Sequence, residues 1–199
     1  MVESSDLIIT KRKNPISKVQ KMQWGNKPVD GGNLILSDEE KDELIKLEPD
    51  AKKFIKRLIS AKEYINGINR WCIWLVEIEP SKLKHMPLVM ERVKKVQNVR
   101  MNSVDAGANE LAKYPATFRD KKNPTKYILI PSTTSENRKY IPIGFFGKNE
   151  IAHNSCHIIA GGSIYTFGIL TSEMHMAWVK QICGRLKSDY RYSNDIVYN

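Results

Sequence analysis

Seven consecutive polar residues, Ser132, Thr133, Thr134, Ser135, Glu136, Asn137 and Arg138, separate the apolar runs Tyr127–Ile130 and Tyr140–Phe146. They offer hydroxyls, a carboxylate, an amide and a guanidinium. These groups read base edges in a DNA major groove: Arg bonds guanine, Asn bonds adenine, Glu accepts from the cytosine amine, and Ser or Thr bonds several bases. The same composition also describes an ordinary hydrophilic hairpin loop, and residue chemistry leaves both readings open. A thiol and an imidazole adjoin in Ser155-Cys156-His157. Neighbouring strand residues point to opposite faces, so the pair cannot form a dyad, and Cys156 is read as core. His153 and His157, four apart, share a strand face but lack supporting carboxylates at zinc-ligand spacing. Neither a catalytic nor a metal site is assigned.

Methyl transfer from S-adenosylmethionine would need a Gly-rich turn opening a helix, with an acidic residue ~20 positions on. Gly31-Gly32 and Gly161-Gly162 lack that context, and Asn14-Pro15-Ile16 and Asn123-Pro124-Thr125 do not match an Asn-Pro-Pro-Tyr catalytic loop. A phosphate loop is also missing. These residue patterns point to binding rather than catalysis.

The charge balance agrees. Lys and Arg total 32 against 22 Asp and Glu, a net charge of +10, which suits a polyanionic partner such as nucleic acid. Ribosome-associated and membrane-surface proteins share such a balance. With 41% hydrophobic residues and ample aromatics, the 199-residue chain can bury a core and is not disordered. Cys72, Cys156 and Cys183 are odd in number and set among apolar residues, which predicts reduced, buried thiols. No run approaches the ~20 apolar residues of a membrane span, and the N-terminus lacks a signal-peptide pattern. The expectation is a cytoplasmic protein with no membrane partner.

The elements that must carry the polar loop can be read from caps and periodicity. The first fifteen residues, with the basic cluster Lys11-Arg12-Lys13, read as either an edge strand or a frayed terminus. Trp24–Leu36 reads as a turn entering a short strand. Ser37 and Glu40 form a capping box for a helix to about Leu47. Beyond Pro49, Asp50 is predicted to cap a second helix with Phe54, Ile55 and Leu58 on its apolar face. Tyr64-Ile65, Asn66-Gly67 and Trp71–Val76 suggest a β-hairpin whose second strand is buried, with Trp71 and Trp74 as packing residues. From Pro87 a helix presents Leu88, Val89, Val93 and Val96 inward and Arg92, Lys94, Lys95 and Arg100 outward. Strand patterns follow at Tyr127–Ile130, Tyr140–Phe146, Ser155–Ile159 and Ile164–Phe167, and Ser172 caps a closing helix through Cys183.

The predicted class is therefore α+β: a mainly helical N-terminal half around a buried hairpin, and a strand-rich C-terminal half closed by a helix. Residues 1–23 are a lead-in and 24–199 the domain, with 24–115 and 125–199 as potential subdomains. A cleft between the halves would seat DNA.

Several stretches carry a resemblance. Lys27–Leu36, Arg70–Leu75, Met86–Leu88, Arg138–Pro142, Phe167–Ser172, Met174–Trp178 and Gly184–Ser193, closing on Tyr192–Asn199, occur in one order. Over about residues 24–199 they resemble the target-recognition region of MmeI-like enzymes, single-chain type II restriction-modification proteins. The resemblance implies a sequence-reading module of an adenine-specific, S-adenosylmethionine-dependent DNA methyltransferase. That cofactor, the catalytic loop and, in many members, a nuclease would lie in other domains, leaving no cofactor here. Implied partners are double-stranded DNA and the methyltransferase domain. The resemblance also places base contacts on Ser132–Arg138 and around Asn149–Ser163, including Asn154 and Ser163. Many relatives carry Arg where this chain has Ser132, which leaves the base read there open. Phosphate contacts are expected from Arg92, Lys94, Lys95, Arg100, Lys139, Arg185, Lys187 and Arg191. The alternative is a basic interaction domain that docks the methyltransferase domain or a partner subunit.

Overall fold

Local signals set several elements as expected. In a computed structural model, which describes residues 8–199, strand β1 (Met22–Trp24) and strand β2 (Ile35–Leu36) lead into helix α1 (Asp38–Leu47). Ser37 Oγ accepts from the Glu40 N–H at 3.2 Å, and Glu40 Oε2 accepts from the Ser37 N–H at 2.9 Å, completing the capping box. The first fifteen residues lie partly outside the described range, and 8–15 form no strand.

Residues 50–58 depart from expectation. Pro49–Phe54 form a 3₁₀ turn, and Ile55–Ile59 form strand β3 rather than a helix. Helical spacing of Phe54, Ile55 and Leu58 is overridden because β3 is paired on both edges, antiparallel with strand β4 (Trp71–Ile73) and parallel with strand β8 (Glu150–Ala152). The predicted 64–76 hairpin is also absent. Ser60 caps helix α2 (Ala61–Asn66), and Gly67, at φ +65°, supplies its left-handed C-cap. Asn-Gly serves a hairpin turn and a helix end equally well, since both need positive φ.

Helices α3 (Pro80–Lys84), α4 (Pro87–Met101) and α5 (Ala106–Glu110) follow. Buried Glu48 caps α4 from a distance, accepting from the Leu88 N–H at 2.5 Å and the Val89 N–H at 3.2 Å. Leu34, Leu36, Leu58, Trp74, Val89 and Val96 belong to the core that α1, α3 and α4 share with the β2-β4-β3-β8 sheet.

The second half contributes strands β5 (Lys126–Pro131), β6 (Thr133–Thr134), β7 (Gly144–Gly147) and β8, then β9 (Cys156–Ala160). Residues 140–143 are not strand, because Pro142 cannot donate to a ladder; Ile141 and Ile143 are buried without pairing. Ile164–Phe167 lie in helix α6 (Ile164–Leu170), not a strand, since Ser163 accepts from the Thr166 N–H at 3.1 Å as its N-cap. Helix α7 (Glu173–Ile182) starts at Ser172 as expected, and strands β10 (Gly184–Leu186) and β11 (Asp189–Arg191) form a tight hairpin.

Both four-stranded sheets, β2-β4-β3-β8 and β1-β9-β5-β7, take strands from both halves of the sequence. The third orders β10-β11-β6, so the tail hairpin is stitched to the residues just after β5. The mixture is α+β. Among the described residues no helix is long and apolar enough to cross a membrane.

Arg100, expected on the outer face of α4, is 0% exposed. Its guanidinium donates to the carbonyls of Pro28 (3.1 Å), Val29 (2.7 Å), Leu111 (3.1 Å), Tyr114 (2.8 Å) and Thr117 (2.7 Å). A side chain whose donors are consumed this way has none for phosphate. Arg100→Met should leave several buried carbonyls unpaired and cost about 3 kcal/mol or more. Urea denaturation would measure it, and a loss below ~1 kcal/mol would show the carbonyls finding other donors.

Tyr192 is buried between two histidines: its carbonyl lies 3.3 Å from His157 Nε2, and its hydroxyl 3.1 Å from His175 Nε2. Burial pushes both imidazoles down, from 6.5 to about 4. Between these values the unfolded chain takes up protons that the folded chain refuses. Stability is therefore full above about pH 6.5 and declines as pH falls toward about 4. The melting temperature should drop clearly between near-neutral solution and about pH 5; a flat profile would contradict it.

Candidate nucleic-acid interface

The segment that leaves β1 shapes the site. A Cβ on Gly25 would meet the carbonyl oxygens of His153 at 2.3 Å and Ala152 at 2.8 Å, so only glycine lets the chain press this close. Asn26 is next, wholly buried. Its carboxamide donates to the carbonyls of Lys122 (2.8 Å) and Ala152 (3.0 Å) and accepts from the Lys122 N–H (2.6 Å). The Asn26 carbonyl accepts from the Asn154 N–H at 2.9 Å. Three separate segments, 24–27, 119–122 and 152–154, are thereby locked edge to edge.

A fourth joins from β6. Ser132 donates its N–H (2.9 Å) and its hydroxyl (2.7 Å) to the Ser155 carbonyl, while its own carbonyl accepts from the Tyr192 N–H (2.8 Å). This brings β11 alongside β6, with Thr133 opposite Arg191.

The result is a cleft of about 620 Å³ lined by Trp24, Lys27, Arg119, Lys122, Ser132, Thr133, Asn154, Leu186 and Arg191, with Asp120 in its wall. Asp120 is satisfied locally, accepting from the Lys27 N–H at 3.0 Å with Lys122 Nζ 3.7 Å away. Lys122 Nζ also donates to the Trp24 carbonyl at 2.9 Å. Four cations against one engaged carboxylate make the cleft attractive to an anion, and a hydroxyl pair and an amide sit on its wall. It opens where the two halves of the chain meet.

Of the residues expected to contact bases, Ser132, Thr133 and Asn154 line this cleft. Thr134 does not: it is 3% exposed, paired beside Tyr190 of β11, so its inclusion is corrected. Ser135 to Arg138 form an outer turn, in which the Ser135 carbonyl accepts from the Arg138 N–H at 3.2 Å. Glu136, Asn137 and Arg138 project there into solvent, with Glu136 3.9 Å from Arg185. Ser163 caps α6 and stands outside the cleft.

The phosphate set divides similarly. Arg191 is in the cleft, while Arg185 and Lys187 belong to the adjacent hairpin, Arg185 lying 4.1 Å over the Tyr190 ring and Lys187 at its turn with φ +56°. Lys139 faces Glu173 at 3.4 Å. On α4, Arg92 pairs with Glu40 at 3.0 Å and Lys95 with Glu91 at 2.8 Å; Lys94 is exposed. Two of these three cations are answered by acidic neighbours, and none of the three lines the cleft.

Sequence reasoning missed Trp24, Lys27, Arg119, Lys122 and Leu186. Two signals were present: the basic run Arg119-Asp120-Lys121-Lys122 in the connector between the halves, and a tryptophan set in polar Gln23-Trp24-Gly25-Asn26-Lys27.

Cys156 is buried and its thiol is pushed up to about 12 by burial, so it stays protonated at neutral pH. His153 sits in the turn before β9 and receives the Ser155 N–H at Nδ1, so His153 and His157 do not share one strand. Among the described residues no His, Cys, Asp and Glu gather as a metal site.

Asn26→Ala should uncouple the 119–122 loop from the 152–154 turn. Amide exchange at Lys122 should quicken by about tenfold or more, the cost of ~1–3 kcal/mol for partners left unpaired. Unchanged protection at Lys122 would mean the loop is held by other contacts.

Comparison with known proteins adds three findings. A family model described as "MmeI, target recognition domain" matches residues 3–199. DNA methyltransferase A of Bacillus subtilis (strain 168) is 42% identical over 200 residues, covering 100% of this chain and 23% of that protein. The solved structure of the type IIL restriction-modification enzyme MmeI in complex with DNA is similar at a TM-score of 0.94 and 44% identity, over 98% of this chain and 26% of that one. The chain spans about a quarter of the length of these relatives.

Proposed function

Since the chain belongs to the family of MmeI target recognition domains, we propose that it selects the DNA sequence on which a larger restriction-modification methyltransferase acts. The observation that carries this reading is the convergence of Lys27, Arg119, Lys122 and Arg191 with Ser132, Thr133 and Asn154 around one cleft. The cations grip phosphates of double-stranded DNA, and the neutral polar groups, with the exposed turn at Glu136, Asn137 and Arg138, read base edges. Affinity and specificity then rest on different residues.

The methyltransferase proper would act on the exocyclic amine of adenine in the bacterial cytoplasm, with S-adenosylmethionine bound in another domain. The Gly pairs of this chain do not fit that cofactor. Asp30 already takes the N–H groups of Gly32 (3.0 Å) and Leu34 (2.8 Å), and the N–H groups of Gly161 and Gly162 go to the carbonyls of Lys126 (2.9 Å) and Ile159 (3.3 Å). Endonuclease activity, where the polypeptide has it, would likewise reside elsewhere. Here the domain's task is contact with DNA on one side and with the methyltransferase domain on another.

Fluorescence anisotropy of a labelled duplex across a salt series tests the reading. Arg119→Ala should weaken all sequences alike and reduce the slope of log affinity against log salt by about one. Arg138→Ala, tested on the motif found by methylome sequencing of a host expressing the longer polypeptide, should relax preference at one base at a cost of about 1–3 kcal/mol. No duplex binding at low salt, alongside tight association with a methyltransferase domain, would instead favour the docking role.

A further inference from the structure

Trp24 is unlike the other tryptophans. Trp71 and Trp178 give their indole N–H groups to Asp38 (2.6 Å) and to the Val197 carbonyl (3.2 Å), and Trp74 is buried. Trp178 is 40% exposed, close to the 43% of Trp24, but of the four tryptophans only Trp24 lines the cleft, at the end of edge strand β1. Its indole is backed by the ring of buried His157, with centroids 4.0 Å apart and planes 40° from parallel. The support is an uncharged, fixed aromatic surface. Among the other residues lining the same cleft is Leu186, 54% exposed.

An aromatic and an aliphatic surface therefore lie among Lys27, Arg119, Lys122 and Arg191. A bare phosphate backbone would need the cations but not the indole. A purely apolar ligand would need the indole but not the cations. A nucleotide with an accessible base face satisfies both, because every base carries a π-face next to its phosphate. Within a stacked duplex those faces are covered by neighbouring bases, so only edges and sugars are presented.

We propose that the cleft takes a nucleotide whose base is unstacked, its face laid on the Trp24 indole beside Leu186 and its phosphates held among Lys122, Arg119 and Arg191. The assignment rests on the DNA-recognition reading above and adds a particular ligand geometry to it. Trp24 contributes affinity without charge, so its loss leaves the salt dependence alone.

The probes are a single-stranded oligothymidylate and an abasic oligonucleotide of the same length and charge, titrated against the full chain by anisotropy. The intact strand should bind about tenfold more tightly than the abasic one, and it should quench tryptophan emission. Trp24→Ala should bring that ratio close to one with an unchanged salt slope, and Trp24→Phe should retain most of it. Circular dichroism melts of both variants confirm that they are folded. Equal binding of the two strands by the native chain, or a ratio that survives Trp24→Ala, overturns the proposal. If Arg119→Ala still flattens duplex salt dependence in that case, the DNA-recognition reading stands without it. A native chain that binds neither strand nor duplex overturns both.

Discussion

The carboxamide of Asn26 is the interaction on which the candidate site depends. An amide buried away from water needs its partners, and here it finds them on two segments remote in sequence, at Lys122 and Ala152. Gly25 makes the approach sterically possible, because the carbonyls of Ala152 and His153 occupy the space of a Cβ. The crossing adds to the bonds that Arg119 and Asp120 make with the backbone of Lys27. With it, Arg119 and Lys122 become one fixed wall of a cleft whose other walls come from β6, β11 and the 154 turn.

Arg100 performs the matching task two residues further on. Its bonds to Pro28 and Val29 hold the far end of the 24–30 segment, and its bonds to Leu111, Tyr114 and Thr117 hold the start of the connector. The two polar hubs thus tie the same pair of segments together at both ends. A buried guanidinium is costly to desolvate, and burial lowers its pKa despite the opposing charge of Asp30. Carbonyl dipoles aimed at it offset that cost only while the geometry holds, which makes the region rigid and intolerant of substitution.

Charge alone was a poor guide to the candidate interface. The net +10 is spread over the surface, and much of the basic face of α4 is answered by Glu40 and Glu91. What distinguishes the cleft is a local excess of cations in which, among the described residues, the one acidic lining residue, Asp120, is engaged with Lys27 and Lys122. Exposed ion pairs contribute little to stability, but they remove charges from the pool that can meet phosphates.

The sequence by itself determined the elements whose signals are local. Ser37 with Glu40, Pro87 at the start of α4 and Ser172 before α7 mark helix ends through side chains a few residues away, and those ends appear where expected. The ordered blocks from Lys27 to Asn199 likewise carried the family, and the polar run 132–138 pointed to part of the cleft. Tertiary structure decided the rest. Ile55–Ile59 became a strand because partners lay on both sides, Asn66-Gly67 closed a helix rather than a hairpin, and Arg100 turned inward to carbonyls that only the folded chain assembles. The cleft belongs to this second group. Its residues lie as far apart as Trp24 and Arg191, and no periodicity encodes a hydrogen bond between positions 26 and 122, because such contacts depend on how the sheets cross rather than on neighbouring residues.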